Sequence, residues 1–205
     1  MGKKIMVYGA RGSFLTLGEP EAFQGKGVKR WSATALIEPG VTKAKRCDDA
    51  GMPTGPLVDA KTLVDQLLKE TAEEKWGAKA KTHLSNILPD PKGCCFIDGS
   101  RKAYDGYEGN WALSAHRPED KGRPLVFDAD RSPIYQADNV AYPGKAGRLY
   151  SGCYLDFQCE FWAQDNTNGK GLRASLLGVK FAKDGDAFGG GAAPVADAFG
   201  DVSSG

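Results

Sequence analysis

The stretch Tyr150–Asn166, YSGCYLDFQCEFWAQDN, decides the fold, because its apolar and polar residues alternate as they do in a half-buried β-strand. One face carries Cys153, Leu155, Phe157, Cys159 and Phe161. The other face carries Tyr154, Asp156, Gln158, Glu160 and Trp162. The turn sequence NTNG at 166–169 then leads into a second strand pattern, KGLRASLLGVKFAK at 170–183, so the two segments are predicted to form a long hairpin.

The two cysteines of this strand are predicted to belong to the core. Cys153 and Cys159 are six residues apart, which places them about 20 Å apart along an extended strand, too far to share a metal ion or a disulfide. A free cysteine behaves as a small buried apolar residue. The chain has only two histidines, and neither forms a zinc-binding pattern with a cysteine, so we expect no metal and no cofactor.

The rest of the chain adds further strands and one clear helix. Residues 28–40 alternate, with Trp31, Ala33 and Ala35 on one predicted core face and Arg30 on the opposite face. Residues 57–77 have apolar positions at helical spacing and end at Gly77, a suitable C-terminal cap. We therefore predict a mainly β fold with one long helix, an OB-fold-like five-stranded antiparallel barrel. A β-sandwich of another topology stays open.

Charge is distributed unevenly along the 205 residues, although the net charge is only +1. Four aspartates are the only charged residues after Lys183, so residues 184–205 carry −4, while residues 1–183 carry +5 (27 Lys and Arg against 22 Asp and Glu). The composition predicts a domain over 1–183 and a flexible, acidic, Gly-rich tail over 184–205. No run of eighteen apolar residues and no signal peptide is found, so no association with a membrane is predicted.

Catalytic motifs are absent from the sequence. There is no G-x-S-x-G elbow, no H-E-x-x-H pair and no phosphate-binding P-loop, which argues against an enzyme. Two alternatives stay open at this stage. One is a metal-dependent nuclease that uses carboxylates such as Asp98, Asp105, Asp128 and Asp130. The other is an adaptor protein without affinity for nucleic acid.

Aromatic residues are interleaved with cations in three segments, at 29–31, 101–117 and 145–154. A groove that binds single strands without sequence preference needs this mixture, since cations follow the phosphates and flat rings stack on bases. The predicted nucleic-acid-binding residues are Arg11, Lys29, Arg30, Trp31, Lys102, Tyr104, Tyr107, Trp111, Arg117, Arg148, Tyr150 and Tyr154. The strongest candidates are Arg30, Tyr104, Tyr107 and Arg148, the two tyrosines because a polar, Gly-containing loop offers little core to bury a ring.

Several segments in the same order resemble one family. They are RWSATALIEPG, the KW at the end of the helix, RKAYDGYEGNWALSAHR, YSGCY, NGKGLRASLLGVK and DGDAFGG. The chain is similar in these segments to bacteriophage early proteins, formerly of unknown function, that are described as single-stranded DNA-binding proteins with an OB-fold. The resemblance implies a protein that coats single-stranded DNA during phage replication or recombination in the host cytoplasm, without catalysis.

The tail departs from a pattern common among single-strand binders, which end in a dense acidic run with a terminal aromatic residue. Here Phe199 lies six residues before the end, next to Asp201. These two residues are the predicted contacts for replication or recombination proteins. The sequence does not decide whether the protein forms a homo-oligomer, or whether it prefers DNA to RNA.

Overall fold

The computed structural model describes residues 3–189 and consists of nine strands and two α-helices, with short 3-10 turns between them. The strands are β1 (Lys3–Ala22), β2 (Lys29–Ile37), β3 (Lys43–Cys47), β4 (Pro53–Asp59), β5 (Phe96–Asp98), β6 (Trp111–Pro118), β7 (Leu125–Phe127), β8 (Tyr154–Asn166) and β9 (Gly169–Lys183). The helices are α1 (Ala60–Trp76) and α2 (Ala80–Ile87). Within residues 3–189, no helix has the length and apolar character needed to span a membrane.

Five of the strands close into a ring in the order β1, β2, β6, β9, β8 and back to β1. This confirms the predicted OB-like barrel. Four seams are antiparallel, and the fifth, between β6 and β9, is a single parallel bridge from His116 to Ser175. The barrel is therefore partly open at this seam, as OB-folds are. The short strands β3, β4, β5 and β7 extend the sheet beyond the ring.

The hairpin of β8 and β9 forms as predicted, and its apolar face lines the barrel interior. Cys153, Leu155, Phe157 and Cys159 are fully buried. The same interior takes the alternate residues Ile5 and Val7 of β1, which pair with β8. The interpretation of these cysteines as core residues is confirmed by this burial, which also raises the pKa of Cys159 and keeps its thiol uncharged.

Strand β1 bends, and it can therefore pair both with β2 in the barrel and with β3 of the β3–β4 hairpin. Gly9 has φ of 62°, a left-handed conformation that glycine adopts without strain, and the pairing with β8 shifts in register between Val7 and Ala10. The Gly9 N–H donates to Asp156 Oδ1 at 2.9 Å. The bend in β1 therefore lies at Gly9.

Helix α1 begins where Asp59 caps it, with the carboxylate accepting from the Thr62 N–H at 3.0 Å, and it ends at Gly77 as predicted. Its apolar face, which includes Leu67 and Leu68, is buried against the sheet. The helices thus cover one side of the barrel and leave the outer face of β2 and β6 free.

The ordered domain extends six residues past the predicted boundary at 183. The Phe188 N–H donates to the Ser151 carbonyl at 2.8 Å, and the Tyr150 hydroxyl donates to the Asp184 carboxylate at 2.8 Å. Residues 184–189 are therefore held on the barrel, because their backbone and carboxylate groups find specific partners there. The tail was predicted to begin at 184, but residues 184–189 make these contacts with the barrel, and residues 190–205 lie outside the described part of the chain.

Candidate nucleic-acid interface

A continuous groove crosses the outer face of β2 and β6. Its middle part is floored by small residues of these strands and has a volume of about 390 Å³. The floor is polar, with Thr34 Oγ1 and Ser114 Oγ 3.0 Å apart. At one end the groove passes Phe14 and Tyr104 and reaches Phe188. At the other end it passes the seam of the barrel into a wider recess of about 790 Å³.

Three aromatic side chains present their rings in this groove. Phe14 is 55% exposed, Tyr104 is 51% exposed and Trp162 is 44% exposed. Phe14 and Tyr104 meet edge to face, with ring centroids 4.8 Å apart. Large exposed rings in a concave surface are unusual for a structural role, and they offer flat faces on which bases can stack.

Phe14 is exposed because the backbone of β1 turns it outward. Its φ is 48°, an uncommon and strained value for a bulky residue, and the pairing of β1 with β2 shifts in register between Ser13 and Thr16. Strain of this kind is often found at ligand-binding positions. The sequence analysis missed Phe14, whose only signal was a large apolar residue in the irregular stretch after Gly12.

Positive charge predominates along the groove. The lining contains the cations Arg30, Lys102, Arg117, Lys121 and Arg173, against the carboxylates of Asp105 and Glu160. None of these five cations forms an ion pair within residues 3–189. Their charges are therefore available to a polyanion that lies in the groove.

His116 lies at the seam of the barrel, where the middle part of the groove meets the wider recess. The groove walls remove water from the imidazole, and the charges of Arg30 and Arg173 repel a proton, so the pKa of His116 is lowered to about 4. The side chain keeps part of its surface exposed, and its ring is neutral at pH 7.

The hairpin that carries Trp162 and Arg173 is fixed to the helical side of the molecule. The Trp76 indole N–H at the end of α1 donates to Asp165 Oδ2 at 2.9 Å. On the groove side, Arg173 Nε donates to Gln164 Oε1 at 3.0 Å. The first bond holds the hairpin against α1, and the second fixes the Arg173 side chain within the hairpin, which forms one wall of the groove.

Comparison with known proteins agrees with this geometry. The family model described as Enterobacter phage Enc34, ssDNA-binding protein, matches residues 3–204. The chain belongs to this family. Protein p50 of Acyrthosiphon pisum secondary endosymbiont phage 1 is 38% identical over 201 residues, which cover 98% of this chain and 94% of p50.

Solved structures of phage proteins share the fold. The single-stranded DNA-binding protein of bacteriophage Enc34 is 25% identical with a TM-score of 0.63, over 96% of this chain and 89% of that chain. Its complex with single-stranded DNA gives 24% identity and a TM-score of 0.65, over 91% and 89% of the two chains. Bacteriophage T7 gp2.5, a single-stranded DNA-binding protein, gives 17% identity and a TM-score of 0.51, over 92% and 91%.

Four of the predicted binding residues line the groove of this family member with accessible side chains. Arg30, Lys102 and Tyr104 face the groove, the last two from the loop between β5 and β6. Arg117 also lines it, but its guanidinium donates to the carbonyls of Gly122 and Lys121 at 2.6 and 2.7 Å. Arg117 therefore holds the turn after β6 and keeps less capacity for a phosphate. Their role in binding stays a prediction.

Trp31 and Tyr107, both among the predicted binding residues, are buried and offer no free ring to a base. Trp31 is 3% exposed, and its indole N–H donates to the Gly18 carbonyl at 2.7 Å. Tyr107 is 4% exposed, and its hydroxyl donates to Ser13 Oγ at 3.2 Å. The loop that carries Tyr107 folds back onto Leu36 and forms a second apolar cluster. This cluster buries the Tyr107 ring, although the polar sequence of the loop does not suggest it.

Three predicted residues hold the segment after β9. Arg11 donates to the carbonyls of Gly152 and Asp186 at 3.0 and 2.6 Å, and its guanidinium lies 4.2 Å from the centre of the Phe188 ring. Tyr150 bonds to Asp184, as described above, and Tyr154 packs under the ammonium of Lys183 at 4.7 Å. None of the three lines the groove, and the polar groups of Arg11 and Tyr150 are engaged in fixing this segment.

The remaining predicted residues lie elsewhere. Arg148 forms an ion pair with Asp128 at 2.9 Å and stacks on Phe181, so it belongs to the loop before β8. Trp111 packs on Phe96 on the helical side, 4.5 Å from the Lys61 ammonium. Lys29 is exposed, on the opposite face of β2 from Arg30. Phe199 and Asp201 lie outside the described residues.

The carboxylates considered for a nuclease are dispersed. Asp98 caps a turn by accepting from the Ser100 N–H, and Asp130 accepts from the Ser132 N–H. Asp128 is paired with Lys145 and Arg148, which lower the pKa of its carboxyl far below the usual range. Asp105 lies at the groove edge. Within residues 3–189, no three His, Cys, Asp or Glu side chains are grouped so that they could hold a metal ion.

Proposed function

We propose that this protein binds single-stranded DNA in the groove on the outer face of β2 and β6, with little sequence preference. The observation that carries the proposal is that the exposed rings of Phe14, Tyr104 and Trp162 share one groove with cations that have no carboxylate partner within residues 3–189. Rings stack on any base, at about 1–3 kcal/mol each, and cations attract any phosphate.

The position of the groove supports the same conclusion. In OB-folds the face formed by the second and third barrel strands, together with the adjoining loops, binds oligonucleotides. Here those strands are β2 and β6, and the hairpin of β8 and β9 forms one wall. The family and the structural similarity to an Enc34 protein solved with single-stranded DNA support the choice of ligand.

We further propose that the protein acts by binding alone, coating single strands during phage DNA replication or recombination in the host cytoplasm. The dispersed carboxylates of Asp98, Asp128 and Asp130 support a non-catalytic role, since each is engaged in a separate turn or ion pair. Contact with replication or recombination proteins through Phe199 and Asp201, and self-association, are part of this proposal.

The test is a titration of a labelled single-stranded oligonucleotide, with and without Mg²⁺, followed by both anisotropy and a denaturing gel. The proposal expects tight binding, an intact strand in Mg²⁺ and similar affinities for oligonucleotides of different sequence. Loss of the strand only when Mg²⁺ is present would establish the nuclease instead. Absence of binding in every condition would leave the adaptor protein as the better account.

A further inference from the structure

Three side chains converge at the barrel seam from three different strands. His116 on β6 pairs with Ser32 on β2 and with Ser175 on β9. Arg30 and Arg173 lie two residues from those partners on the same strands. Since residues two apart on a strand share a face, both guanidiniums flank the imidazole on the groove side. All three side chains line the same recess.

The charges around this cluster favour an anion. Arg30 has no ion-pair partner in residues 3–189, and Arg173 uses one nitrogen on the neutral amide of Gln164. From the neighbouring elements, Lys121 and the engaged Arg117 face the recess, and Glu160 on β8 is its one carboxylate among the described residues. Guanidinium groups bind phosphate oxygens in a bidentate manner.

Trp162 places a ring beside these cations. It pairs with Arg173 across the hairpin of β8 and β9 and lines the same recess. A nucleotide seated here can therefore place its phosphate on the guanidiniums while an adjacent base stacks on the indole. This is the arrangement that a backbone-directed, sequence-tolerant site requires.

We propose that Arg30, Arg173 and His116 form a phosphate subsite whose occupation by one backbone phosphate is coupled to protonation of His116. The inference rests on the proposed function and adds a regulatory property to it. A phosphate between the guanidiniums offsets the positive charge that repels the proton, and it accepts a hydrogen bond from the imidazolium. Binding therefore takes up a proton in the mildly acidic range, and affinity rises as pH falls.

The experiment measures the affinity of the full chain for oligo(dT) at constant ionic strength between about pH 5 and pH 7.5, because thymine does not titrate there. If phosphate raises the pKa of His116 by about two units, wild type binds about tenfold more tightly at the acidic end. His116→Gln is expected to lose most of the pH response, whatever its affinity at pH 7.5. Glu160→Gln removes the other titrating group of the recess and serves as the matched control. This variant is expected to keep the pH response.

Histidine NMR signals give an independent reading, because the chain has only His83 and His116. The expected result is a rise of more than about one unit in the pKa of His116 on addition of oligo(dT), with His83 unchanged. Arg30→Gln and Arg173→Gln are expected to reduce that rise, whereas Arg131→Gln, exposed and outside the groove, leaves it intact.

The outcomes separate this inference from the proposed function. Failure of wild type to bind oligo(dT) at any pH overturns both. Tight binding with a flat pH profile, or a pH response that survives in His116→Gln or disappears in Glu160→Gln, overturns the coupled subsite and leaves the groove in place. If the pKa of His116 is unchanged in the complex saturated with oligo(dT), the coupled subsite is likewise overturned and the groove stays in place.

Discussion

Phe14 lies on β1 and Tyr104 in the loop between β5 and β6, and their rings meet edge to face with centroids 4.8 Å apart in the groove. Both rings are more than half exposed, so this pair contributes little to the core. The contact orients each ring and leaves a flat face of the pair open to a base. It is the feature of the groove that most resembles a stacking platform.

Removing either ring is expected to weaken DNA binding and leave the fold intact. Phe14→Ala and Tyr104→Ala should each lose about 1–3 kcal/mol of binding free energy, the usual value of one base on one ring. Anisotropy titration measures the loss, and thermal unfolding checks the fold. Tyr142→Ala is the matched control, since Tyr142 is also exposed but lies outside the groove. Equal losses in all three variants would contradict the assignment.

Substitution of Tyr107 is expected to lower the stability of the fold and to leave DNA binding unchanged. Because its ring is buried and its hydroxyl donates to Ser13, Tyr107→Phe should lower the free energy of unfolding by about 1 kcal/mol and Tyr107→Ala by about 3–5 kcal/mol. Urea unfolding gives both values. Affinity of the Phe variant, measured well below its transition, should match wild type. A Tyr107→Ala protein that is stable but binds DNA weakly would instead show that the Tyr107 ring contacts DNA in the groove.

Lys102 is expected to account for part of the salt dependence of binding. It is exposed in the groove and has no ion-pair partner among the described residues 3–189, so Lys102→Ala should make the slope of log K against log salt shallower by about 0.7, the value for one phosphate on a single strand. Lys43→Ala removes an exposed lysine outside the groove lining and should leave the slope unchanged. Identical slopes for the two variants would show that Lys102 does not reach the strand.

Two truncations should differ in stability. Removing residues 190–205 takes away none of the contacts described for the barrel, and we expect the melting temperature to change little. Removing residues 184–205 also deletes the partners of Arg11 and Tyr150 and the ring of Phe188, and it should lower the melting temperature by several degrees. If both truncated proteins have the same melting temperature as the full chain, the segment 184–189 does not stabilise the barrel.

Asp128 should make stability depend on pH. Lys145 and Arg148 hold the pKa of its carboxyl below the unfolded value of about 3.9, so the contribution is present above that pH and is lost as pH falls through the folded pKa. Asp128→Asn should therefore lower the free energy of unfolding by about 2 kcal/mol at pH 7 and make the loss of stability at acid pH smaller. Urea unfolding at pH 7 and near pH 3 measures both, with the exposed Asp105→Asn as control. An equal cost at both pH values would contradict the ion pairs.

The sequence predicted those features that depend on local pattern. The alternation of β8, the helical spacing of α1 and the buried cysteines follow from which residues must avoid water, and all three are confirmed. Arg30 was placed correctly opposite the core face for the same reason.

The differences between the predicted and the observed groove residues depend on tertiary relationships. Phe14 points outward only because β1 bulges beside it, and Tyr107 is buried only because its loop folds onto Leu36. Arg148 and Arg11 are cations whose partners, Asp128 and the carbonyl of Asp186, are remote in sequence. Alternation assigns a face to a residue, but the elements that later cover that face cannot be deduced from alternation.

Ultraviolet crosslinking of a single-stranded oligonucleotide that carries 5-bromodeoxyuridine, followed by mass spectrometry of the crosslinked peptides, tests the location of the groove most directly. The account predicts crosslinks at Phe14, Tyr104 and Trp162, reduced when unlabelled strand competes. Crosslinks that concentrate instead at Trp111 on the helical side, or at Tyr142 in the loop before β8, would contradict the assignment of single-stranded DNA to the outer face of β2 and β6.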